Sequence, residues 1–141
     1  MSKEQNESLV FDTGVLVEIV RGSDSILSLK SRLESGILTP HITDLNLFEL
    51  HYLICRKDDW TKAKSVVESI RESGYFRVHE AQEFLEAGAR TKCERSISIV
   101  DCITIAAGEV LSIPVLFARR EKEIDEELKK RPFKIDLKFL T

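Results

Sequence analysis

Apolar positions along this chain recur with two periods, and the switches between them mark short strands alternating with helices. Leu9-Val10-Phe11 is an apolar run that ends at Asp12-Thr13-Gly14, a first strand with its loop. Val15 to Val20 reads as a short helix stopped by Gly22. Ser23 or Asp24 then caps a helix from Ser25 to Glu34, which Gly36 ends. Ile37 to Ile42 is a second strand, in which Pro40 disfavours a central, fully hydrogen-bonded position. Thr43 caps a helix running to about Arg56, and Asp58 or Asp59 caps another from Trp60 to about Ser73, closed by Gly74.

Tyr75 to Val78 alternates like a strand. Glu80 to about Arg95 is an amphipathic helix, and Ile99 to Leu111 a strongly apolar one. Pro114 to Phe117 is the next strand, and Lys122 to Lys130 a charged, solvent-facing helix. In the last segment Phe133, Ile135, Leu137 and Phe139 alternate with Lys134, Asp136 and Lys138, as in a half-buried strand with lysines on its open face. Strands alternating with helices predict an α/β sandwich around a mostly parallel sheet. No repeat, low-complexity stretch or linker divides residues 1–141, so one domain is expected.

Composition narrows the picture. At 141 residues and 43% hydrophobic, the chain is long enough for one domain with a real core. A formal charge of −3 excludes binding of nucleic acid by bulk charge, but not by a local basic patch or through metal ions at an acidic site. Cys55, Cys93 and Cys102 have no CxxC spacing and read as small core residues of a reducing compartment. The first eight residues are polar and no apolar run reaches membrane-spanning length, so neither a signal peptide nor a membrane helix is expected, and the cytoplasm is the expected location.

Three acids stand where apolar elements end or are interrupted: Asp12 after Leu9-Val10-Phe11, Glu49 within Leu47-Phe48-Glu49-Leu50, and Asp101 within Ile99-Val100-Asp101-Cys102-Ile103. A buried carboxylate is costly unless it is paired, hydrogen-bonded or bound to a metal. Each has a plainer reading. Asp12 serves as a helix N-cap, and Ser98 to Asp101 has the spacing of a capping box. Glu49 has the weakest such alternative, sitting mid-helix among Leu45, Phe48, Leu50 and Leu53. Because parallel sheets bind ligands beyond the carboxyl ends of their strands, the three acids are expected to meet at one edge. Oxygen-only ligands suit a hard cation, Mg²⁺ or Mn²⁺. His41, His51 and His79 lack the spacing of a metal motif, and there is no P-loop or serine-hydrolase elbow.

Three stretches resemble the PIN domains, and within them the VapC-type toxin ribonucleases. Leu9 to Thr13 is similar to the family's opening strand with its first acid and adjoining hydroxyl. Thr43 to Leu50 resembles the helix that carries its Glu, and Ser98 to Ala107 its third acid at the head of an Ala-rich helix. The resemblance implies a PIN-like α/β/α sandwich and metal-dependent hydrolysis of RNA phosphodiester bonds, in which a carboxylate-bound metal lowers the pKa of its water. It implies Asp12, Glu49 and Asp101 as catalytic metal ligands, with Thr13, Asn46 and Thr104 orienting them from behind. It also implies a small antitoxin partner and a homodimer; the helix with Trp60, Val66, Val67 and Ile70 offers an apolar face for assembly. The fourth motif departs from the family pattern. An acid common there aligns with Arg119, and Glu121 or Glu123 is left to supply the charge. Arg119 and Arg120 are candidates for binding substrate phosphates.

Other readings stay open: a PIN nuclease of RNA maturation or turnover, and a degenerate PIN module that binds RNA or protein without cleaving. A phosphoryl-transfer enzyme with Asp12 as nucleophile needs a second Asp two residues on, where Gly14 stands.

Overall fold

Consecutive residues of the central strands face opposite ways, and here both faces are apolar. Leu9 and Phe11 enter one core and Val10 the other; Leu116 enters the first, Val115 and Phe117 the second. A strand buried on both sides needs a helix layer on each side, and the chain supplies them. A computed structural model describes residues 6–141, so the polar start on which the expectation of no leader rests lies mostly outside the described residues.

The elements follow in the order β1 (Glu7–Phe11), α1 (Thr13–Arg21), α2 (Leu27–Glu34), β2 (Leu38–Thr43), α3 (Asp44–Lys57), α4 (Trp60–Glu72), β3 (Arg77–His79), α5 (Leu85–Glu94), α6 (Ile99–Leu111), β4 (Val115–Phe117), α7 (Lys122–Lys130) and β5 (Leu137–Phe139). Single 3₁₀ turns precede α2 and α5. The five strands lie in the order β3-β2-β1-β4-β5, and every pairing is parallel. Helices α1 to α4 pack through Leu16, Leu29, Leu50 and Val67 on one face, and the 3₁₀ turn before α5 with α6 and α7 through Phe84, Ile105 and Ile124 on the other. The result is the expected α/β/α sandwich.

β2 is an inner strand despite Pro40. The pairing with β3 begins only at His41, so Pro40 precedes the two-sided span. β3 begins at Arg77 rather than Tyr75, because the chain is still turning out of Gly74, whose φ is 78°. β5 shortens to Leu137–Phe139. Phe133, expected to open that strand, is instead held under the guanidinium of Arg95, 4.0 Å from its ring centroid. That guanidinium is buried and donates to the carbonyls of Glu127, Arg131 and Pro132 at 2.7–3.0 Å, tying α7 to the end of α5. Helix α7 is not wholly solvent-facing, since Ile124 and Glu127 are buried. Of the cysteines only Cys102 is buried; Cys93 is exposed, and none is paired among the described residues. No helix among the described residues is long and apolar enough to cross a membrane.

The chain runs outward from β1 through β2 to β3, then returns to β4 on the other side of β1. The direction of winding thus reverses between β1 and β4, and in open parallel sheets the crevice beyond the carboxyl ends at such a point receives ligands.

Candidate active site

Asp12 is the first residue past β1, at this crevice. Its N–H donates to the carbonyl of Leu116 at 2.9 Å, which fixes its backbone against β4. Its Oδ2 accepts from the Gly14 N–H at 3.2 Å, so the N-cap role holds. Gly14 is tightly placed: a Cβ there would lie 3.0 Å from Asp12 Oδ2 and 3.1 Å from Ala118 Cβ. Glu49 projects from α3, whose start is fixed by Thr43 at the end of β2. Asp101 is in the first turn of α6 and gives its N–H to Ser98 Oγ at 3.1 Å. The return bond of a capping box, from the Ser98 backbone to the Asp101 carboxylate, is not formed among the described residues. The carboxylate lies in the field of Glu49, Glu123 and Glu121, with the Ser98 side chain favouring its ionised form.

Beneath the acids lies a buried polar network centred on Asn46. Its Oδ1 accepts from the Thr43 N–H at 2.9 Å and from Thr43 Oγ1 at 3.0 Å. Its Nδ2 donates to Thr13 Oγ1 at 3.0 Å and to Thr104 Oγ1 at 3.1 Å. All four positions of the amide are used, in a side chain that is 0% exposed. One residue thereby joins the starts of α1 and α3 to the middle of α6, the three helices next to Asp12, Glu49 and Asp101. Thr13, Asn46 and Thr104, expected behind the acids, are all in this network.

The acids act on one another. Burial, then the charges of Asp101 and Glu49, push the Asp12 carboxyl up to about 7, against the Gly14 N–H that favours its ionised form. Burial also pushes Asp101 up to about 6, with Glu49, Glu123 and Glu121 adding to the rise and Ser98 opposing it. Tyr52, one turn after Glu49, donates its hydroxyl to Glu49 Oε2 at 3.4 Å. Burial and the Glu49 charge raise the pKa of that phenol, so it remains a donor at neutral pH. The i, i+3 spacing of Glu49 and Tyr52 is visible in the sequence, yet it is also the spacing of an ordinary core aromatic, which hides the contact.

Arg119 and Arg120 lie at the rim and are engaged. Arg119 meets Glu18 at 3.5 Å and Glu121 at 3.7 Å; Arg120 meets Asp125 at 2.7 Å, its guanidinium 5.5 Å from the Phe139 ring centroid. Glu121 thus answers to Arg119 while adding to the field at Asp101. Away from this edge, His41 Nδ1 and His79 Nε2 are hydrogen-bonded at 2.9 Å, and the His51 ring lies against Trp60, 4.3 Å between centroids and tilted by 34°.

Among the described residues no three His, Cys, Asp or Glu side chains are already close enough to hold a metal ion. The donor set nevertheless suits one. Asp12, Glu49 and Asp101 offer only oxygen, as Mg²⁺ and Mn²⁺ require. None of the three joins an ion pair among the described residues. Carboxylates that repel one another without a counter-charge are expected to stand apart until a cation draws them in.

Comparison with known proteins agrees with this fold. No curated protein sequence matches the chain. Solved structures share its fold at low identity. The DNA-bound VapBC complex from Salmonella typhimurium contains a chain that superposes with a TM-score of 0.71 at 14% identity, covering 97% of this chain and 100% of that one. The DNA-bound VapBC2 complex from Rickettsia felis gives 0.67 at 15%, covering 94% and 98%. VapC20 of Mycobacterium tuberculosis, a toxin that cleaves the sarcin–ricin loop, gives 0.64 at 18%, covering 84% and 94%. The PIN domain family model matches residues 9–127, a span that contains all three acids and the Asn46 network. The chain belongs to the PIN domain family.

Proposed function

We propose that this protein is a Mg²⁺- or Mn²⁺-dependent endoribonuclease and the toxin of a type II toxin–antitoxin pair. The observation that supports the reading is that Asp12 is buried in the field of Asp101 and Glu49, and Asp101 in the field of Glu49, with no cationic partner among the described residues; burial first and these charges after it lift Asp12 to about 7 and Asp101 to about 6. Three carboxylates kept unneutralised in one half-buried place gain nothing for folding; they suit an external cation and, through it, a phosphate.

In this reading Asp12 and Asp101, short side chains at element ends, hold the cation, and Glu49 reaches it directly or through water. A cation bound there neutralises phosphate charge and lowers the pKa of an attacking water. Asn46, with Thr13 and Thr104, holds the three helices at fixed separations, so that little reorganisation is needed when substrate arrives. Arg119 and Arg120 exchange their carboxylate partners for substrate phosphates, and Glu121 supplies further negative charge beside Asp101.

Two of the named relatives are VapBC complexes, which supports an antitoxin for this chain. A cleft of about 610 Å³ between α1, α3 and α4, lined by Val17, Val20, Leu50 and Leu53 and rimmed by Arg21, Lys57 and a Lys62 that Asp58 already engages at 3.2 Å, suits an amphipathic helix. A homodimer in the cytoplasm belongs to the same proposal. The exposed indole of Trp60 is available for assembly, whereas Val67 of the same helix is spent on the core.

The experiment is incubation of single-stranded RNA with the wild type and with Asp101→Asn, in Mg²⁺ and in EDTA. Internal cleavage by the wild type in Mg²⁺ only, reduced at least about a hundredfold in the variant, is expected. Arg119, where the family commonly has an acid, favours a second reading, a PIN module that binds without cleaving. Such a protein would hold RNA in Mg²⁺ and release no fragments.

A further inference from the structure

Helix α3 presents a row of three side chains leading away from the acids. Phe48, Tyr52 and Arg56 are spaced four apart and so share one face, beginning beside Glu49. Phe48 is 65% exposed, a large apolar ring left in water. The edge-to-face contact of its ring with Tyr52, at 5.7 Å between centroids and 70° between planes, fixes its orientation. Tyr52 is in turn held from two sides, by its hydroxyl on Glu49 at 3.4 Å and by the Arg56 guanidinium 5.0 Å from its ring centroid. The row runs from carboxylate to aromatic faces to cation, and covers roughly 10 Å of helix between Glu49 and Arg56 at about 1.5 Å per residue.

We propose that Phe48, held by Tyr52, is a stacking platform for a base of the single-stranded RNA next to the cleaved phosphodiester, and that Arg56 receives the following phosphate. The proposal rests on the nuclease reading above. A nucleotide strand carries a π face and a phosphate in alternation, which is the order that this helix face offers. Stacking on an aromatic ring is a main source of affinity for single strands and is tolerant of base identity. A second copy of this chain is the other candidate to cover Phe48. The polar groups flanking Phe48 on this face, Glu49, the Tyr52 hydroxyl and Arg56, do not make an apolar interface core.

The test is fluorescence anisotropy with two labelled single-stranded probes of equal length, oligo(A) RNA and the same backbone without bases, in Ca²⁺ so that binding is read without turnover. The wild type is expected to bind oligo(A) about tenfold more tightly than the abasic strand. Phe48→Ala and Phe48→Leu should both abolish that difference, and Phe48→Tyr should keep it. Arg56→Gln should weaken both probes alike and reduce the salt dependence by about one ion. With Mg²⁺, Phe48→Leu should raise KM about tenfold and leave kcat nearly unchanged.

A wild type that does not distinguish the two probes overturns the platform, as does base discrimination that survives in both the Ala and the Leu variants. Such survival together with conversion of a dimer to monomers in light scattering would assign Phe48 to a subunit contact instead. Cleavage without base discrimination removes the platform and leaves the nuclease; base discrimination without cleavage does the reverse.

Discussion

Asn46 Nδ2 donates to Thr104 Oγ1 at 3.1 Å, fastening the helix that carries Glu49 to the helix that carries Asp101. The same amide reaches Thr13 beside Asp12, so one buried side chain sets the spacing of all three acids. Replacing it strands Thr13, Thr43 and Thr104 in a dry interior, where each unpaired polar group costs about 1–3 kcal/mol. Asn46→Ala is therefore expected to lower stability by about 2–4 kcal/mol in urea unfolding. RNA cleavage should fall as well, with the variant still folded at low temperature. Unchanged stability would mean that the network is not needed to hold the helices together.

Much of this arrangement is legible in the sequence, and its centre is not. Helix α6 runs from Ile99 to Leu111 and α7 from Lys122 to Lys130, as their periodicity and the Ser98 cap indicate, because both signals are local. The acids are visible as charges set into apolar runs. Thr43 reads as a helix start, and it does form a cap, made reciprocal by Asn46. The bonds from Asn46 to residues 33 and 58 positions away depend on how the layers stack, which no local pattern contains. The last strand misleads for the same reason. Phe133 alternates correctly with its polar neighbours, but the buried guanidinium of Arg95 takes it out of the ladder.

Proton binding gives a second expectation. Asp12 and Asp101 titrate at about 7 and about 6 in the fold, against 3.8 for an unperturbed aspartate. Between those values the folded chain holds more protons than the unfolded one, so without metal these two groups make stability fall as pH rises from about 4 to about 7. For each pH unit by which folding raises such a carboxyl, the folded state loses about 1.4 kcal/mol once the group is ionised. Metal-free melting curves of the wild type and Asp12→Asn should converge near pH 4 and separate toward pH 8, with the variant melting higher. Curves that stay parallel across this range would show that Asp12 carries no such strain.

Gly14 tests how closely the Asp12 carboxylate is held. A methyl group there meets Asp12 Oδ2 at 3.0 Å and Ala118 Cβ at 3.1 Å, so one neighbour must shift. Alanine also favours the first turn of α1 by up to about 1 kcal/mol over glycine, which offsets the contact. Gly14→Ala should leave the melting temperature within a few degrees of wild type and weaken Mn²⁺ binding several-fold. Equal Mn²⁺ affinity in calorimetry would mean that the carboxylate has room to move without consequence.

The central claim is that Asp12, Glu49 and Asp101 are one cation site and not three separate structural acids. Calorimetric titration of Mn²⁺ into the metal-free wild type, Asp12→Asn, Glu49→Gln and Asp101→Asn tests it most directly, with each melting temperature taken before metal is added. Each substitution should weaken Mn²⁺ binding at least about tenfold while the metal-free protein melts at the same temperature or higher, because a repelling charge has been removed. Wild-type Mn²⁺ affinity in all three variants, or metal-free unfolding at lower temperature in each, would contradict the account.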